Sequence, residues 1–385
     1  MLKNIKIDNF KTFIKPTNID FSATNYKFLE SENVGVNRIL KGALFVGENA
    51  SGKTNILTAI KLLLDLLFSN KEVETIYNKS FYTDKDTYKI EYTFIFDDKE
   101  ISYLIELGIN VIITEKLIYD KKIILERLGN TAKFSLNEEK TFTDLSGSLL
   151  FLRRIYFDTN FYGDEVLNKW FNFMKKSVYI NCYDKNVLCY TGDNNLLVHE
   201  YLKNNTVDDI NKLLEKINYK QKIEYSTETK GPKNRFYVKS TNEQKFISFN
   251  KEGTDTYIPE IFESTGNKTL IELLPSFIHA IKNDCIVILD EFSSGFHNEL
   301  EECLIKYFFH YSKNSQIFLV SHSTNLLNNT LLRPDQIYSV RFDVNNGTTL
   351  KRFSDEMPRE SQNTEKMYLN GVFDGLPRYN KIFKD

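Results

Sequence analysis

The most restrictive feature of the sequence is residues 47–54, which follow the pattern G-x-x-x-x-G-K-[ST]. Residues 43–46 before this segment are apolar and predict a short buried strand. Apolar residues recur on one broad face over residues 54–69, which predicts a helix. A strand, a glycine-containing loop and a helix in this order form a phosphate-binding P-loop, because backbone N–H groups and the helix N-terminus then face the anion.

The residue types in the loop indicate a Mg-ATP site. Lys53 is expected to reach the β- and γ-phosphates, and the Thr54 hydroxyl is expected to ligate Mg²⁺. A chance glycine loop is the alternative, and the flanking strand and helix argue against it. The residues expected to bind the nucleotide are Gly47, Glu48, Asn49, Ala50, Ser51, Gly52, Lys53, Thr54 and Asn55.

A second acidic segment lies far downstream, at residues 285–291. Its apolar run predicts a central parallel strand that is buried on both faces, and its two final carboxylates resemble a Walker B segment. Neighbouring residues of a strand point to opposite sides, so Asp290 and Glu291 should have different roles. Asp290 is expected to hold Mg²⁺, directly or through water, and Glu291 to polarise the water that attacks the γ-phosphate.

The remaining pattern divides the chain into regions. Residues 2–8 alternate apolar and polar as in a half-buried strand, and residues 88–135 read as an antiparallel meander. Residues 145–218 have helical spacing, with helices predicted over 145–155 and 165–179. The predicted domains are an N-terminal lobe with the P-loop (1–84), an antiparallel β-subdomain (85–140), a helical and β insertion (141–250) and a lobe with the second half of the site (251–385).

Composition excludes several classes of protein. The 50 Lys and Arg residues balance 52 Asp and Glu residues to a net charge of -2, so no global basic field indicates nucleic-acid binding. Cys285 and Cys303 lie in apolar contexts, which predicts buried free thiols rather than disulfides or zinc ligands. The sequence starts without an apolar leader and has no membrane-length apolar run, so we expect a soluble cytoplasmic protein.

Two further motifs also lie next to a predicted strand or helix. Residues 317–321 predict another buried strand, and His322 follows it. Glu263-Ser264-Thr265-Gly266 precede a helix predicted over residues 269–281. An N-terminal strand runs into Asn9-Phe10-Lys11, and a tail lies at residues 367–377. Together with these two segments, the motifs described above follow an order along the chain that resembles the OLD-like, RecF/SMC-related ABC ATPases. It is most similar to the stand-alone type of phage-defence loci, the RloA or abortive-infection kind.

The resemblance implies an α/β fold, a P-loop ABC-type ATPase head with a mostly parallel core sheet, an antiparallel β-subdomain and a helical insertion. It implies that His322 is the switch histidine that senses the γ-phosphate. Ser264 and Gly266 match the ABC signature, which contacts the nucleotide bound by the opposite subunit; an ordinary helix N-cap is the alternative. A signature of this kind requires an ATP-dependent homodimer.

The sequence also departs from the family pattern. Residues 292–298, where a D-loop would lie, keep only His297 of the family string. No glutamine precedes Gln221, so another residue or a water is expected in place of the Q-loop glutamine. Lys11 either approaches a phosphate or is a solvated turn lysine. The basic turn at residues 229–235 either contacts a phosphate backbone or is a solvated hairpin tip.

The leading functional hypothesis is an ATPase that dimerises around Mg-ATP and controls a partner effector, a nuclease or toxin, in anti-phage defence. The chain lacks the acidic cluster of a TOPRIM nuclease, so such an activity is expected from a partner. The alternative is a RecF-like repair or recombination clamp that binds DNA. A transporter ATPase is disfavoured, because the N-terminal lobe and the tail do not fit and no membrane-docking segment is evident.

Overall fold

The described residues form nine α-helices and twenty strands. The structure, a computed structural model, describes residues 1–69, 78–192, 196–230, 237–240, 244–292 and 297–376. Its α-helices are α1 Glu30–Asn33, α2 Lys53–Phe68, α3 Phe151–Thr159, α4 Glu165–Lys175, α5 Val198–Asn204, α6 Asp208–Lys216, α7 Thr265–Lys282, α8 Asn298–Tyr311 and α9 Thr364–Leu369.

The strands follow in chain order. They are β1 Leu2–Asp8, β2 Thr17–Asp20, β3 Gly42–Gly47, β4 Tyr88–Phe96, β5 Lys99–Gly108, β6 Val111–Tyr119, β7 Lys122–Leu128, β8 Thr131–Phe134, β9 Lys140–Phe142, β10 Val178–Asn181, β11 Asn186–Cys189, β12 Gln221–Ser226, β13 Glu228–Lys230, β14 Tyr237–Lys239, β15 Phe246–Lys251, β16 Tyr257–Pro259, β17 Ile286–Asp290, β18 Gln316–Val320, β19 Ile337–Asp343 and β20 Gly347–Arg352.

The apolar segments predicted as buried strands form one core sheet. Its strand order is β11-β10-β17-β18-β3-β19-β20, and the neighbours from β10 to β19 pair in parallel. The edge strands β11 and β20 pair antiparallel. Because the carboxyl ends of parallel strands meet at one edge, the ends of β3, β10, β17 and β18 collect there. The predicted mostly parallel core sheet is confirmed.

The N-terminal strands and the meander form a second, antiparallel sheet in the order β2-β1-β4-β5-β6-β7-β8-β9. The turns predicted within residues 88–135 connect its strands. Helix α2 lies between the two sheets, and its buried face packs with Phe45 and Ile288 of the core sheet. Leu44 and Leu289, which alternate with them, pack on the other face with α7 and α8. This alternation explains why these strands are apolar throughout.

The region predicted as helical contains a strand pair that the sequence pattern did not reveal. The helix predicted over residues 165–179 ends at Lys175, and Val178–Asn181 becomes β10. Asn181 stands in register with Asp290 of β17. Val178 and Ile180 are β-branched, and they are buried where β10 pairs with a strand more than 100 residues away. The stabilisation from this long-range burial is not evident from local spacing.

A buried ion pair explains why the preceding helix, α3, begins later than predicted. The helix predicted over residues 145–155 is observed at Phe151–Thr159. Glu115 and Arg127 are both fully buried, with Nη1 and Oε1 2.8 Å apart. The Glu115 carboxylate also accepts the backbone N–H groups of Phe151 and Leu152 at 2.7 and 3.2 Å. A carboxylate at a helix N-terminus satisfies free N–H groups, so it sets where α3 starts.

Cys285 is buried as predicted, but Cys303 is exposed. The prediction for Cys303 was wrong because α8 buries Leu304, Ile305 and Phe308 and turns position 303 outward.

Residues 293–296 of the D-loop segment, 231–235 of the basic turn and Pro377 of the tail lie outside the described residues. Within the described ranges, no helix has the length and hydrophobicity that crossing a bilayer demands.

Candidate nucleotide-binding site

The P-loop connects β3 to α2 at the carboxyl edge of the core sheet. Two of its glycines are required by packing, since a Cβ at Gly47 would collide with the Val340 carbonyl and a Cβ at Gly52 with the Thr348 hydroxyl. Gly52 also has a φ of 102°, which disfavours other residues. The Lys53 ammonium donates to the carbonyl oxygens of Gly47 and Glu48 at 2.9 and 2.7 Å. The lysine thus lies along the loop, and burial lowers its pKa.

Two threonines from distant parts of the chain hold the loop. Thr348 of β20 donates to the Ser51 carbonyl at 2.9 Å, and its hydroxyl lies 2.6 Å from that of Thr12. The Asn55 side chain donates to the Thr12 hydroxyl at 2.7 Å. The N-terminal turn and the last strand of the core sheet therefore fix the P-loop jointly.

The Mg²⁺ residues predicted from the sequence are neighbours. The Thr54 hydroxyl donates to Asp290 Oδ1 at 3.2 Å, although the two residues are 236 positions apart. Asp290 is only 4% exposed, and burial raises the pKa of its carboxyl. A hydroxyl and a carboxylate are hard oxygen ligands of the kind that Mg²⁺ uses together with phosphate oxygens and waters. These two residues therefore fit Mg²⁺.

The two predicted catalytic side chains also meet. His322 Nε2 lies 3.7 Å from Glu291 Oε2, at the ends of β18 and β17. Burial, followed by the nearby Lys53 charge, lowers the pKa of His322, so the imidazole is neutral at pH 7. Glu291 has a φ of 55°, a left-handed conformation that is uncommon for residues with a Cβ and concentrates at functional sites.

These residues line a common cleft of about 730 Å³. Of the predicted site residues, the cleft brings together Asn49, Ala50, Ser51, Gly52, Lys53, Thr54, Asn55, Asp290, Glu291 and His322. Gly47 and Glu48 contribute through the carbonyls that hold Lys53. Among the described residues, Thr12 rather than Lys11 lines the cleft.

Four residues of the cleft were not predicted from the sequence. Thr12, Tyr82, Asn181 and Tyr183 also line it, and the two tyrosines are 57% and 76% exposed. The helical spacing of residues 165–179 concealed β10, and with it Asn181. Asn181 stands beside Asp290 at the sheet edge, and its side-chain oxygen accepts the backbone N–H of Asp184 at 2.9 Å. An isolated exposed tyrosine in a polar segment gave no signal in the sequence.

The signature-like residues lie apart from this cleft. Ser264 is the N-cap of α7, and its hydroxyl accepts the backbone N–H of Asn267 at 3.2 Å. The Glu263 carboxylate accepts the Ser264 N–H at 2.9 Å. Gly266 lines a different cleft of about 770 Å³, together with Asn267, with His297 at the N-cap of α8 and with Cys303 of that helix. Within one chain, Ser264 and Gly266 therefore do not join the P-loop cleft.

Comparisons with known proteins agree with this architecture. The structure aligns with an SMC head bound to the C-terminal winged-helix domain of ScpA at 13% identity and a TM-score of 0.51, over 92% of this chain and 99% of that one. It also aligns with the SMC head domain of Thermotoga maritima at 17% identity and a TM-score of 0.47, over 91% and 98% of the two chains. At these identities the likeness is one of fold, and the fold is that of an SMC-type ATPase head.

A family model described as "AAA domain, putative AbiEii toxin, Type IV TA system" matches residues 191–328. This stretch is less than half of the chain, and it includes Ser264, Asp290, Glu291 and His322. No curated protein matches the sequence. The structural match is therefore to the fold of an SMC head, and the family match is to an AAA domain over residues 191–328.

Proposed function

We propose that this chain binds Mg-ATP in the P-loop cleft and hydrolyses it to ADP and phosphate. The observation that carries the proposal is the convergence of Lys53, Thr54, Asp290, Glu291 and His322 on one cleft, although three separate segments supply them. Bringing a lysine, two carboxylates and a histidine together in one cleft is unfavourable, because their charges are partly desolvated. A structural role alone does not account for this arrangement.

Each side chain has a distinct part in this reaction. Lys53 exchanges its carbonyl partners for the β- and γ-phosphates, whose charge is a stronger acceptor for its ammonium. Thr54 and Asp290 would hold Mg²⁺, and the bound ion would supply positive charge to neutralise the phosphate oxygens. Glu291 orients and deprotonates the attacking water, and neutral His322 beside it contacts the γ-phosphate. Asn181 takes the place of the Q-loop glutamine, since it lines the cleft and stands in register with Asp290 on the neighbouring strand.

Hydrolysis in this proposal needs two copies of the chain. Ser264 and Gly266 lie at the N-terminus of the 18-residue helix α7, where N–H groups and the helix dipole favour an anion. Because they do not reach the P-loop cleft of their own chain, they would complete the cleft of a second copy. A symmetric dimer then encloses two nucleotides, each shared between the copies.

We further propose that the ATP-bound dimer controls an effector nuclease or toxin in anti-phage defence. The support is the AbiEii description of the family matched by residues 191–328. The second candidate is a RecF-like clamp on DNA, which the SMC-head fold favours. Both candidates use the same ATP-dependent dimer and differ in what that dimer binds.

An affinity pull-down from the native host tests the two candidates. The bait is the Glu291→Gln variant with Mg-ATP, which is expected to retain bound nucleotide. The control is Lys53→Ala, which is expected to lose nucleotide binding. A nuclease or toxin that co-purifies with the first bait and not with the second supports the defence role. Recovery of DNA and repair proteins by the Glu291→Gln bait alone would favour the clamp. Identical recovery by both baits would contradict control by ATP.

A further inference from the structure

A short turn directly before the signature-like serine presents two apolar side chains to solvent. The 3-10 helix Glu260–Phe262 carries Ile261 and Phe262, which are 70% and 71% exposed. Two adjacent large apolar side chains with so much exposed surface are costly to hydrate, and such surface commonly marks an interface.

The turn is anchored on both sides. Before the apolar pair, the Glu260 carboxylate lies 3.1 Å from His199 Nε2. After the pair, the Glu263 carboxylate accepts the Ser264 N–H and the Asn267 side-chain amide, at 2.9 and 2.8 Å. A turn held in this way presents its side chains without a large ordering cost, which favours binding.

The rim of the P-loop cleft carries the complementary surface. Tyr183 and Tyr82 line the cleft and are 76% and 57% exposed. Tyrosine combines a large apolar ring with a polar tip and is enriched at interfaces. The fold therefore leaves exposed apolar surface beside each of the two features that the proposed dimer must bring together, the signature turn and the cleft.

We propose that Ile261 and Phe262 form a hydrophobic anchor that packs against the aromatic rim, Tyr82 and Tyr183, of a second copy of this chain. The proposal rests on the ATP-dependent dimer described above. In a two-fold dimer the contact occurs twice, because each copy supplies one anchor and one rim. Placing Ser264 over the γ-phosphate of the other copy brings the anchor, which lies two and three residues earlier in the chain, to the same cleft.

The test measures dimerisation of the Glu291→Gln variant by analytical ultracentrifugation in saturating Mg-ATP. In this background, replacing both Ile261 and Phe262 by serine is expected to weaken the dimer at least about thirtyfold, as for the loss of a central interface residue. ATP binding by the dilute monomer should remain unchanged. Leu128→Ser is the matched control, because Leu128 is 69% exposed on β7 of the other sheet.

A mutant cycle tests the contact itself. If Phe262 touches Tyr183 of the second copy, Phe262→Ser and Tyr183→Ser together weaken the dimer by less than the product of their separate effects. Independent effects in the cycle, an unchanged dimer in the double serine variant, or an equal loss in Leu128→Ser would overturn the anchor while leaving the composite site in place. If the Glu291→Gln parent does not dimerise in Mg-ATP, the proposed dimer itself is wrong, and the anchor with it.

Discussion

The hydroxyl of Thr54 donates to the Asp290 carboxylate over 3.2 Å and joins the first turn of α2 to the end of β17. The contact places two oxygen ligands where the P-loop joins α2. Burial of the Asp290 carboxylate disfavours its charged form and raises its pKa, while the hydrogen bond from Thr54 acts in the opposite direction. A divalent cation at this point would offset that cost, which gives the pair its proposed function.

Asp290→Asn should therefore uncouple ATP binding from Mg²⁺. In the wild type, we expect ATP to bind more tightly with Mg²⁺ than with a chelator. The variant should lose at least about tenfold of this gain, equivalent to about 1.4 kcal/mol. Its thermal unfolding temperature should not fall, because burial already disfavours the charged carboxylate. Calorimetric titration with and without Mg²⁺ is the measurement, and an undiminished Mg²⁺ effect would contradict the assignment.

The buried pair Glu115–Arg127 should be a major determinant of stability. Arg127→Met leaves the Glu115 carboxylate buried without its cation, so we expect a loss of about 3–5 kcal/mol in the free energy of unfolding. Lys133→Met is the matched control, since its partner Glu139 and Lys133 itself are both largely exposed, and it should cost less than about 1 kcal/mol. Urea unfolding compares the two variants, and similar losses would refute the interpretation.

Glu301 of α8 should make stability depend on pH. The residue is fully buried, and within the described part of the chain neither carboxylate oxygen has a hydrogen bond of good geometry. Burial raises its pKa from 4.5 to about 7, and the nearby Ser323 hydroxyl acts in the opposite direction. The folded state thus keeps the proton longer than the unfolded state, so this contribution to stability is lost as pH rises from 4.5 to about 7.

Glu301→Gln removes that titration while preserving the shape of the side chain. We compare the free energy of unfolding of the variant with that of the wild type at each pH. This difference should favour the variant by up to about 3 kcal/mol more at pH 8 than at pH 5, at about 1.4 kcal/mol per pKa unit. Urea unfolding at the two pH values measures the difference, and Glu299→Gln in the first turn of the same helix, where the side chain is exposed, is the control. A difference between variant and wild type that is the same at both pH values would show that Glu301 is ionised in the folded state.

Much of the fold could be predicted from local sequence. The strand before the P-loop, the helix after it and the meander of residues 88–135 each depend on neighbouring residues, and the structure has them within one or two positions. The strand that ends in Asp290 was also evident, because an unbroken apolar run of this length is typical of a central strand buried on both faces.

The remaining features depend on distant partners. Strand β10 exists because it pairs with β17, and the start of α3 is set by Glu115 on β6, so helical spacing alone misassigned both regions. For the same reason, Asn181, Thr12 and Thr348 gave no local signal, although each contacts or neighbours a residue of the predicted site.

In the proposed reaction this cleft hydrolyses ATP and Glu291 activates the water. Single-turnover hydrolysis of labelled ATP by the wild type and by Glu291→Gln tests it most directly, with enzyme in excess and Mg²⁺ present. Glutamine keeps the size of the side chain but cannot accept the proton, so the rate should fall by about 10²–10⁴-fold while the Kd for Mg-ATP stays within about threefold. Hydrolysis by the variant at the wild-type rate would contradict this role of Glu291.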